Sequence, residues 1–272
     1  MKSDIQWLLE RWQLPAAAIP AVEALLQAED NGSTAVTIDP NSAKILQEVF
    51  THNNAPLRVM ELDGCHYLQA TTHQLKETAI RECLLKAANS DPLPLPHEFE
   101  SVCKQLFPAA SAEDPQLQAL RMAWERPICC ITGGPGTGKT YTLARILALF
   151  EQVKQSDSDS PYPYFLCAPT GKAAQRMRDA MIECLNSMQA DLSEGSRQHL
   201  SDAANNASTL HRLLGYNPAT MACRLKRLPE HAVVVVDECS MLDLNLWHAL
   251  LSKLPPHHYH LILLGDPQQL ES

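Results

Sequence analysis

Hydrophobic residues in the first 90 positions recur at the spacing of amphipathic helices. Ile5, Leu8, Leu9 and Trp12, for example, fall on one face of a helix. The same spacing predicts helices over residues 4–12, 20–29, 41–52 and 73–89. Short stretches typical of β-strands lie between them, near residues 34–38, 57–61 and 65–69. The pattern therefore predicts a small, mostly helical N-terminal domain.

A proline-rich stretch interrupts this pattern. The segment Asp91-Pro92-Leu93-Pro94-Leu95-Pro96 excludes a helix, because each proline lacks an amide proton and restricts the residue before it. A second polar stretch runs from Pro108 to Pro115. We therefore expect a domain boundary between about 91 and 115, with one domain over residues 1–110 and another over residues 111–272.

Continuous apolar runs alternate with helical stretches after residue 127. The runs are Ile128–Thr132, Tyr164–Ala168, Val233–Val236 and Leu261–Leu264. Strands that are apolar on both faces are typical of a parallel sheet covered by helices on both sides. The second domain is therefore predicted to be an α/β fold. Within it, residues 154–163 are predicted to form a polar surface loop and residues 189–206 a helical insertion.

The composition narrows the classes of function. The 272 residues carry a formal net charge of −9, of which −6 falls in residues 1–110 and −3 in residues 111–272. This charge argues against a broad nucleic-acid-binding surface, so any DNA contact is expected to be local and in the second half. No stretch reaches the roughly 18 apolar residues of a membrane span, and the start lacks the apolar run of a signal peptide. We therefore expect a cytoplasmic protein without membrane contact.

Nine cysteines are scattered along the chain. They form no CxxC pair and no Cys/His spacing that would surround a zinc ion. We therefore expect reduced thiols that lie mostly in the core.

The segment from Gly133 to Thr140 matches the phosphate-loop pattern GxxxxGK[ST]. It lies between a predicted strand (128–132) and a predicted helix (139–150), as this motif requires, which disfavours the alternative of a glycine-rich turn without function. Its backbone amides and the helix N-terminus favour phosphate binding. We expect Lys139 to reach the β- and γ-phosphates and Thr140 to bind Mg²⁺. The expected nucleotide-binding residues are Gly133, Gly134, Pro135, Gly136, Thr137, Gly138, Lys139 and Thr140.

Two carboxylates follow the apolar run Val233–Val236. At the end of a buried strand, Asp237 would lie near magnesium and Glu238 near an attacking water. A solvated strand end is the alternative, which the upstream phosphate loop disfavours. A third apolar strand ends in the segment 265–270, which alone is ordinary turn chemistry. A glutamine at such a strand end can hydrogen-bond a terminal phosphate.

Basic residues follow the apolar run Tyr164–Ala168. Lys172 and Arg176 are one helical turn apart, and Arg178 is nearby. They could contact phosphates, but a solvated helix face is the more common reason for such a pattern. The same alternative applies to four other basic residues, Arg212, Arg224, Lys226 and Arg227.

Five segments in order resemble the first five motifs of superfamily 1 DNA helicases. They are Gly133–Thr140, Ala168–Ala174, Thr209–Gly215, Val233–Met241 and Leu264–Leu270. The segments Thr-Leu-His-Arg-Leu-Leu-Gly, Asp-Glu-Cys-Ser-Met and Gly-Asp-Pro-Gln-Gln-Leu are similar to the RecD branch, the alpha subunit of bacterial exodeoxyribonuclease V. Cys239 stands where that branch commonly has alanine. The resemblance is specific over about 116–272 and weak over 1–110.

This resemblance implies a role for individual residues. Lys139 would be the phosphate lysine, Thr140 and Asp237 would serve Mg²⁺, and Glu238 would be the catalytic carboxylate. Gln269 would contact the γ-phosphate of ATP, and Gln116 would recognise adenine. Thr170, Lys172 and His211 would line the path of single-stranded DNA.

The resemblance also implies a fold, partners and an activity. The fold would be a RecA-like P-loop NTPase, preceded by a small N-terminal domain that docks on RecC. With RecB- and RecC-like subunits, the parent would hydrolyse ATP and move 5′ to 3′ on single-stranded DNA in double-strand break repair and recombination. The chain stops at Ser272, just after the last of the five segments, which is numbered as the third motif in this superfamily. We therefore expect a truncated helicase subunit without the second motor domain, which binds and hydrolyses ATP poorly and has no helicase activity alone.

Three other interpretations stay open. The chain could be a nucleotide-binding module that holds a multisubunit nuclease together through residues 1–110. It could be part of a stand-alone RecD-like helicase, although it lacks the glycine-rich hairpins that those proteins carry before the motor. It could also be an ATPase outside helicases, which would bind nucleotide without responding to DNA.

Overall fold

The computed structural model describes residues 11–52, 54–108, 113–154, 162–188 and 191–266. In it the chain divides into two units, Met1–Arg81 and Glu82–Ser272. Most of the helix predicted at 4–12, much of the loop predicted at 154–163 and the start of the insertion predicted at 189–206 lie outside the described residues. None of the described helices is long and apolar enough to cross a membrane.

The first unit combines helices with a three-stranded antiparallel sheet. Its elements are α1 (Ile19–Asp30), β1 (Ala35–Ile38), α2 (Pro40–Val49), β2 (Leu57–Leu62) and β3 (Cys65–Ala70), followed by the start of α3 (Thr71–Ala88). The strand order is β1-β3-β2. Asp63 and Gly64 have φ values of 51° and 75° and form the tight turn between β2 and β3. These elements confirm the predicted helices and strands to within three residues at each end.

The second unit contains a five-stranded parallel sheet. Its elements are α4 (Phe99–Leu106), α5 (Pro115–Glu125), β4 (Ile128–Thr132), α6 (Lys139–Lys154), β5 (Tyr164–Ala168), α7 (Gly171–Ser187), α8 (Glu194–Asn205), β6 (Ser208–Thr209), α9 (Leu210–Leu214), β7 (Tyr216–Asn217), β8 (Ala222–Cys223), β9 (Val233–Val236), α10 (Leu244–Leu251) and β10 (His260–Gly265). The strand order is β4-β10-β9-β5-β6. This confirms the predicted α/β fold, a RecA-like P-loop sheet flanked by helices.

Helix α6 lies at the centre of the second unit. Its residues from Thr142 to Glu151 are all buried, because α4, α5, α7 and α8 pack around it. A helix that is buried on every side requires apolar residues all round, as the run Ile146–Phe150 provides. The helix that begins at the phosphate loop is therefore fixed by the core along most of its length.

Residues 82–110 belong to the second unit, which differs from the predicted boundary near residue 110. Phe99, Val102, Cys103 and Leu106 are buried in the core that also contains α6. Their spacing is that of one helix face, which makes α4 part of this core. The proline-rich stretch before α4 is also fixed, since the Leu93 amide donates to the Glu125 carbonyl over 2.9 Å. A stretch that excludes a helix is therefore not a linker here.

Fewer cysteines are buried than we predicted. Cys103, Cys129 and Cys167 are buried, whereas Cys65 and Cys130 are exposed. The remaining four are half-buried, and all nine are free thiols. Burial raises the pKa of the Cys129 thiol to about 11 and that of Cys167 to about 12, so these two are unreactive at neutral pH.

His260 is a buried histidine that links stability to pH. Its ring centroid lies 4.6 Å from that of Phe150, and its Nδ1 lies 2.9 Å from the carbonyl oxygen of Ala123. Burial lowers the pKa of His260 to about 4 from the ordinary value of 6.5. Protonation therefore favours the unfolded chain, so this contribution to stability is complete above pH 6.5 and is lost as the pH falls toward 4.

We expect His260 to lower the free energy of unfolding by about 3 kcal/mol between pH 7 and pH 4. In His260→Phe this share of the pH dependence should disappear, although the variant is less stable at pH 7 because the Ala123 carbonyl loses a partner. Urea unfolding at several pH values measures the slope. His257→Phe, at an exposed position, is the matched control and should keep the slope of the parent chain. Equal slopes in parent and His260→Phe would contradict the prediction.

Candidate functional site

The predicted site residues follow the carboxyl ends of the parallel strands. The phosphate loop follows β4, and Asp237 follows β9. Gly265 is the last residue of β10, and Asp266 follows it. These three strands are neighbours in the sheet, so their ends lie side by side. The carboxyl edge of an open parallel sheet is where α/β proteins bind ligands. The fold therefore brings together residues that are far apart in sequence.

The phosphate loop has a conformation that depends on glycine. Gly136 and Gly138 have φ values of 73° and 85°, a region that favours glycine. A Cβ at Gly133 would lie 2.6 Å from Oγ1 of Thr137, so no larger residue fits there without a shift. The Thr137 hydroxyl donates to the Gly134 carbonyl over 2.9 Å. The Gly133 amide donates to the Gly265 carbonyl over 3.2 Å, which joins the loop to β10.

Lys139 is the first residue of α6 and points back over the loop. Its Nζ donates to the carbonyl oxygens of Gly133 and Gly134 over 2.6 and 2.9 Å. Thr140 follows it at the helix N-terminus and is half-buried. Two neutral carbonyls therefore hold the ammonium group within the loop. An anionic phosphate oxygen can take their place and is a stronger hydrogen-bond acceptor.

A cavity of about 410 Å³ lies beside the loop. It is lined by residues of α5, β4 and the loop, among them Gln116, Met122, Cys130 and Lys139. Asp114 caps α5 and accepts from the Gln116 amide over 2.8 Å, which fixes the start of this helix. A Cβ at Gly138 would lie 3.4 Å from Gln116 Nε2, so the Gln116 side chain lies against the phosphate loop. The cavity thus combines an amide, a cation and apolar walls.

Asp237 is half-buried at the end of the fully buried strand β9. Its amide donates to the Cys167 carbonyl over 2.9 Å, and its Oδ1 accepts from the Glu238 amide over 2.9 Å. Burial raises the pKa of Asp237, while the Glu238 amide and the charge of Lys139 lower it. The electrostatic effect of Lys139 links this carboxylate to the phosphate loop.

Glu238 has a left-handed backbone conformation, with φ of 49°. The Met241 amide donates to the Glu238 carbonyl over 3.0 Å, which begins the short 3-10 helix Cys239–Met241. Such a conformation costs a non-glycine residue about 1–3 kcal/mol and is often found at functional sites. It turns the chain sharply where the strand ends. Gln269 lies outside the described residues, so its predicted contact remains a prediction.

The predicted DNA-contacting residues follow the other two strands. Thr170 and Lys172 follow β5 and are exposed, while His211 follows β6 and is half-buried. Because β5 and β6 pair in parallel, with Ala168 opposite Thr209, these residues lie at the same sheet edge as the phosphate loop. Thr170 also caps α7, since its hydroxyl accepts from the Ala173 amide over 3.2 Å. Thr170 therefore also has a structural role, as the cap of α7.

Comparison with known proteins matches residues 116–272 to the family described as an AAA domain. The match covers more than half of the chain. This chain belongs to the AAA domain family. The matched residues start at Gln116 and contain the phosphate loop, Asp237 and Glu238, so the AAA domain includes the site described above.

The AAA domain also has named bacterial relatives. The RecBCD enzyme subunit RecD of Mycolicibacterium smegmatis is 44% identical over 173 residues, which are 62% of this chain and 29% of that protein. The RecD subunit of Haemophilus influenzae is 37% identical over 64% of this chain and 27% of its own length. The ATP-dependent RecD2 DNA helicase of Deinococcus radiodurans is 33% identical over 140 residues. The aligned part is thus less than a third of these relatives.

The AAA domain also contains a small hairpin that we did not predict from the sequence. Strands β7 and β8 pair antiparallel between Tyr216 and Cys223, and Gly215 ends α9 with φ of 56°. The rings of Tyr216 and His211 meet edge to face, with centroids 5.6 Å apart. A cleft of about 630 Å³ is lined by the hairpin with Arg212 and Arg224. The turn dipeptide Asn217-Pro218 was the available signal.

We expect Gln116→Ala to weaken ATP binding to the AAA domain by about 10-fold and to reduce its preference for ATP over GTP, since the half-buried amide expected to recognise adenine is removed. Competition between the two nucleotides in an equilibrium binding assay measures both effects. Gln105→Ala is the matched control, because Gln105 is exposed on α4 outside this cavity and its side chain donates to the Asp191 carbonyl. An unchanged preference in Gln116→Ala would contradict the expected role.

Proposed function

We propose that this chain is an ATP-binding motor domain of a DNA helicase subunit. The parent protein would couple ATP hydrolysis to 5′-to-3′ movement on single-stranded DNA in double-strand break repair and recombination, whereas this part alone is not expected to act as a helicase. The observation that carries the proposal is the order of functional residues along one sheet edge. The phosphate loop follows β4, the two carboxylates follow β9, and β10 lies between these strands. Next to β9, β5 and β6 are followed by Thr170, Lys172 and His211. A motor needs this adjacency, because nucleotide state must alter the grip on DNA.

The residues present fit ATP with Mg²⁺. The glycine-dependent loop, the Lys139 ammonium and the N-terminus of α6 suit a chain of phosphates. Thr140 and Asp237 offer the hard oxygen ligands that Mg²⁺ prefers, and the bound ion would neutralise charge on the phosphates. Glu238 would accept a proton from the attacking water, and Gln116 would select adenine. Gln269 is proposed to contact the terminal phosphate.

Single-stranded DNA would lie along the edge next to β5 and β6. Lys172 is exposed at the first turn of α7, where a phosphate can approach both its charge and the helix N-terminus. His211 and Tyr216 supply ring faces for bases to stack on. The net charge of −9 is consistent with a narrow contact of this kind rather than a broad basic surface.

The test separates the nucleotide site from the DNA site. We would measure binding of a fluorescent ATP analogue with Mg²⁺, and binding of a labelled oligothymidylate, for the chain and two lysine variants. Lys139→Ala should weaken nucleotide binding by at least about 10-fold and retain DNA binding, since it removes a charged partner of the phosphates. Lys172→Ala should show the opposite pattern. Each variant is the matched control for the other.

Two results would contradict the proposal. If the chain binds no nucleotide, the interpretation of the phosphate loop fails. If it binds nucleotide while DNA neither binds nor changes nucleotide affinity, the chain acts as an ATPase outside helicases. The salt dependence of DNA binding gives a second readout for Lys172→Ala. The slope of log affinity against log salt should fall by about 1 for each phosphate that the protein no longer neutralises.

The first unit supports a second role, in assembly. RecB- and RecC-like subunits are the proposed partners, since the relatives are named as RecBCD subunits, and residues 1–110 are the proposed docking region. Leu62 and Leu75 are 63% and 58% exposed, and each would bury apolar surface if another protein covered it. Co-purification with a RecC-like subunit should survive Lys139→Ala and be abolished in Leu62→Asp with Leu75→Asp. Failure to co-purify in Lys139→Ala would contradict a separate docking role.

A further inference from the structure

The sheet of the first unit ends in a long edge strand. In the order β1-β3-β2, strand β2 has a neighbour on one side only. It has six residues, Leu57–Leu62, whereas β1 at the other edge has four. Neither proline nor lysine occurs in β2, although these residues commonly protect an exposed edge from pairing with another chain. No other described strand pairs with β2, so its outer edge can accept a further strand.

The two-residue turn between β2 and β3 determines which backbone groups lie on that outer edge. The residues on either side of such a turn exchange hydrogen bonds, and these are Leu62 and Cys65. At the far end of the ladder, the Thr71 amide donates to the Pro56 carbonyl over 2.9 Å. Because bonded and non-bonded pairs alternate along an antiparallel ladder, the even-numbered residues of β2 bond to β3. The amides and carbonyls of the odd-numbered residues therefore point outward: Leu57, Val59 and Glu61.

These outward groups have no backbone partner among the described residues. An extended chain that lies along β2 would bond to them with the spacing of a β-ladder, and β2 would not have to change its own conformation. In such strand addition the main-chain hydrogen bonds supply affinity, and the alternating side chains supply specificity. The side chains on the two faces of β2 therefore define the partner that fits this edge.

We propose that the outer edge of β2 binds an extended segment of a partner protein, which is apolar, carries a basic residue and joins the sheet as a fourth strand. Leu57 and Val59 pack in or against the core of the first unit, so their neighbours on the added strand should be apolar. On the other face of β2, Leu62 is 63% exposed and also favours an apolar neighbour. Glu61 is exposed, so the basic residue is expected opposite it.

The charge of the first unit favours such a partner over a second copy of this chain. Residues 1–81 carry six basic residues against ten acidic ones. Two of the acidic residues, Glu61 and Asp63, are exposed at the end of β2 and in the turn that follows it. A basic residue opposite Glu61 makes a favourable cross-strand pair. Two copies of a chain with a net charge of −9 repel each other, which disfavours pairing of β2 with itself.

The experiment measures binding of the whole chain to the purified RecC-like subunit of the same organism, a choice that rests on the proposed role in assembly. Glu61→Pro removes one outward amide and leaves the hydrogen bonds to β3 intact, which an edge strand tolerates. It should bind at least about 10-fold more weakly than Glu61→Ala, which keeps the amide. Thr37→Pro is the matched control and should bind like the parent chain. Thr37 is exposed on β1, and by the same alternation its amide points away from β3.

Hydrogen exchange of the parent chain gives a second readout that needs no variant. In the complex, the amides of Leu57, Val59 and Glu61 should exchange at least about 10-fold more slowly than in the free chain, because each gains a hydrogen bond. The amide of Thr37, on the opposite edge, should exchange at the same rate in both. Urea unfolding of each variant shows whether it folds. If Glu61→Pro does not fold, the exchange result decides.

Three results would overturn strand addition. If the parent chain forms no complex with the RecC-like subunit, the proposed role in assembly fails together with strand addition, while nucleotide binding still tests the motor. If the complex forms but a folded Glu61→Pro binds as tightly as Glu61→Ala, or the β2 amides exchange at unchanged rates, the role in assembly stands and strand addition is wrong. If sedimentation of the chain alone shows a dimer that Glu61→Pro abolishes, the occupant of the edge is a second copy.

Discussion

Replacing Glu238 with glutamine is expected to lower the rate of ATP hydrolysis by about 100-fold to 10,000-fold, the usual contribution of a positioned proton acceptor. Affinity for ATP should change little, because glutamine has nearly the same shape and Glu238 is not expected to hold the phosphates. The left-handed backbone at this position, with φ of 49°, is compatible with either side chain to the same degree. The variant should therefore bind ATP and fail to turn it over.

Single-turnover hydrolysis of ATP measures this effect even when turnover is slow. Equilibrium binding of the fluorescent ATP analogue is followed in parallel, so that impaired chemistry is distinguished from impaired binding. Glu230→Gln is the matched control, since Glu230 is exposed and precedes β9 at the opposite end of that strand. A Glu238→Gln variant that hydrolyses ATP at the parent rate would remove Glu238 from the catalytic role.

The proposed nucleotide site could be located from the sequence because its signals are local. One continuous stretch contains the run Ile128–Thr132, the glycine-rich segment and the following helix. The change from apolar residues to carboxylates at Asp237 marks the end of the strand before it. Each motif can be recognised from one predicted strand and the turn that follows it. A parallel sheet then places the strand ends together without further information, because all its carboxyl ends share an edge.

Other features depended on tertiary contacts and could not be predicted. The prolines at 92–96 indicated a domain boundary, but the hydrogen bond to the Glu125 carbonyl and the buried face of α4 make this region part of the second unit. The left-handed conformation of Glu238 has no sequence signal, since glutamate rarely adopts it. The position of Cys239 depends on Gly265, whose missing side chain leaves room for the cysteine sulfur.

Replacing Asp237 with asparagine is expected to weaken strongly the use of Mg²⁺ in ATP hydrolysis. An asparagine keeps the oxygen that accepts from the Glu238 amide, but it removes the negative charge that Mg²⁺ prefers in a ligand. The Mg²⁺ concentration needed for half-maximal ATP hydrolysis should rise by about 100-fold or more, since changes that act only indirectly on a ligand already cost about 10-fold to 100-fold. Titration of Mg²⁺ at fixed ATP measures this shift.

The folded Asp237→Asn chain should be at least as stable as the parent, although its response to Mg²⁺ is impaired. Burial raises the pKa of Asp237 against the lowering effects of the Glu238 amide and Lys139, so the charged form is on balance disfavoured in the folded chain. Removing the charge should therefore leave the free energy of unfolding unchanged or raise it by about 1 kcal/mol at most, as replacements of functional residues often do. Asp243→Asn is the matched control: Asp243 caps α10 by accepting from the Leu246 amide, and asparagine caps as well as aspartate. A folded Asp237→Asn chain with the parent's response to Mg²⁺ would show that this carboxylate serves structure rather than the metal.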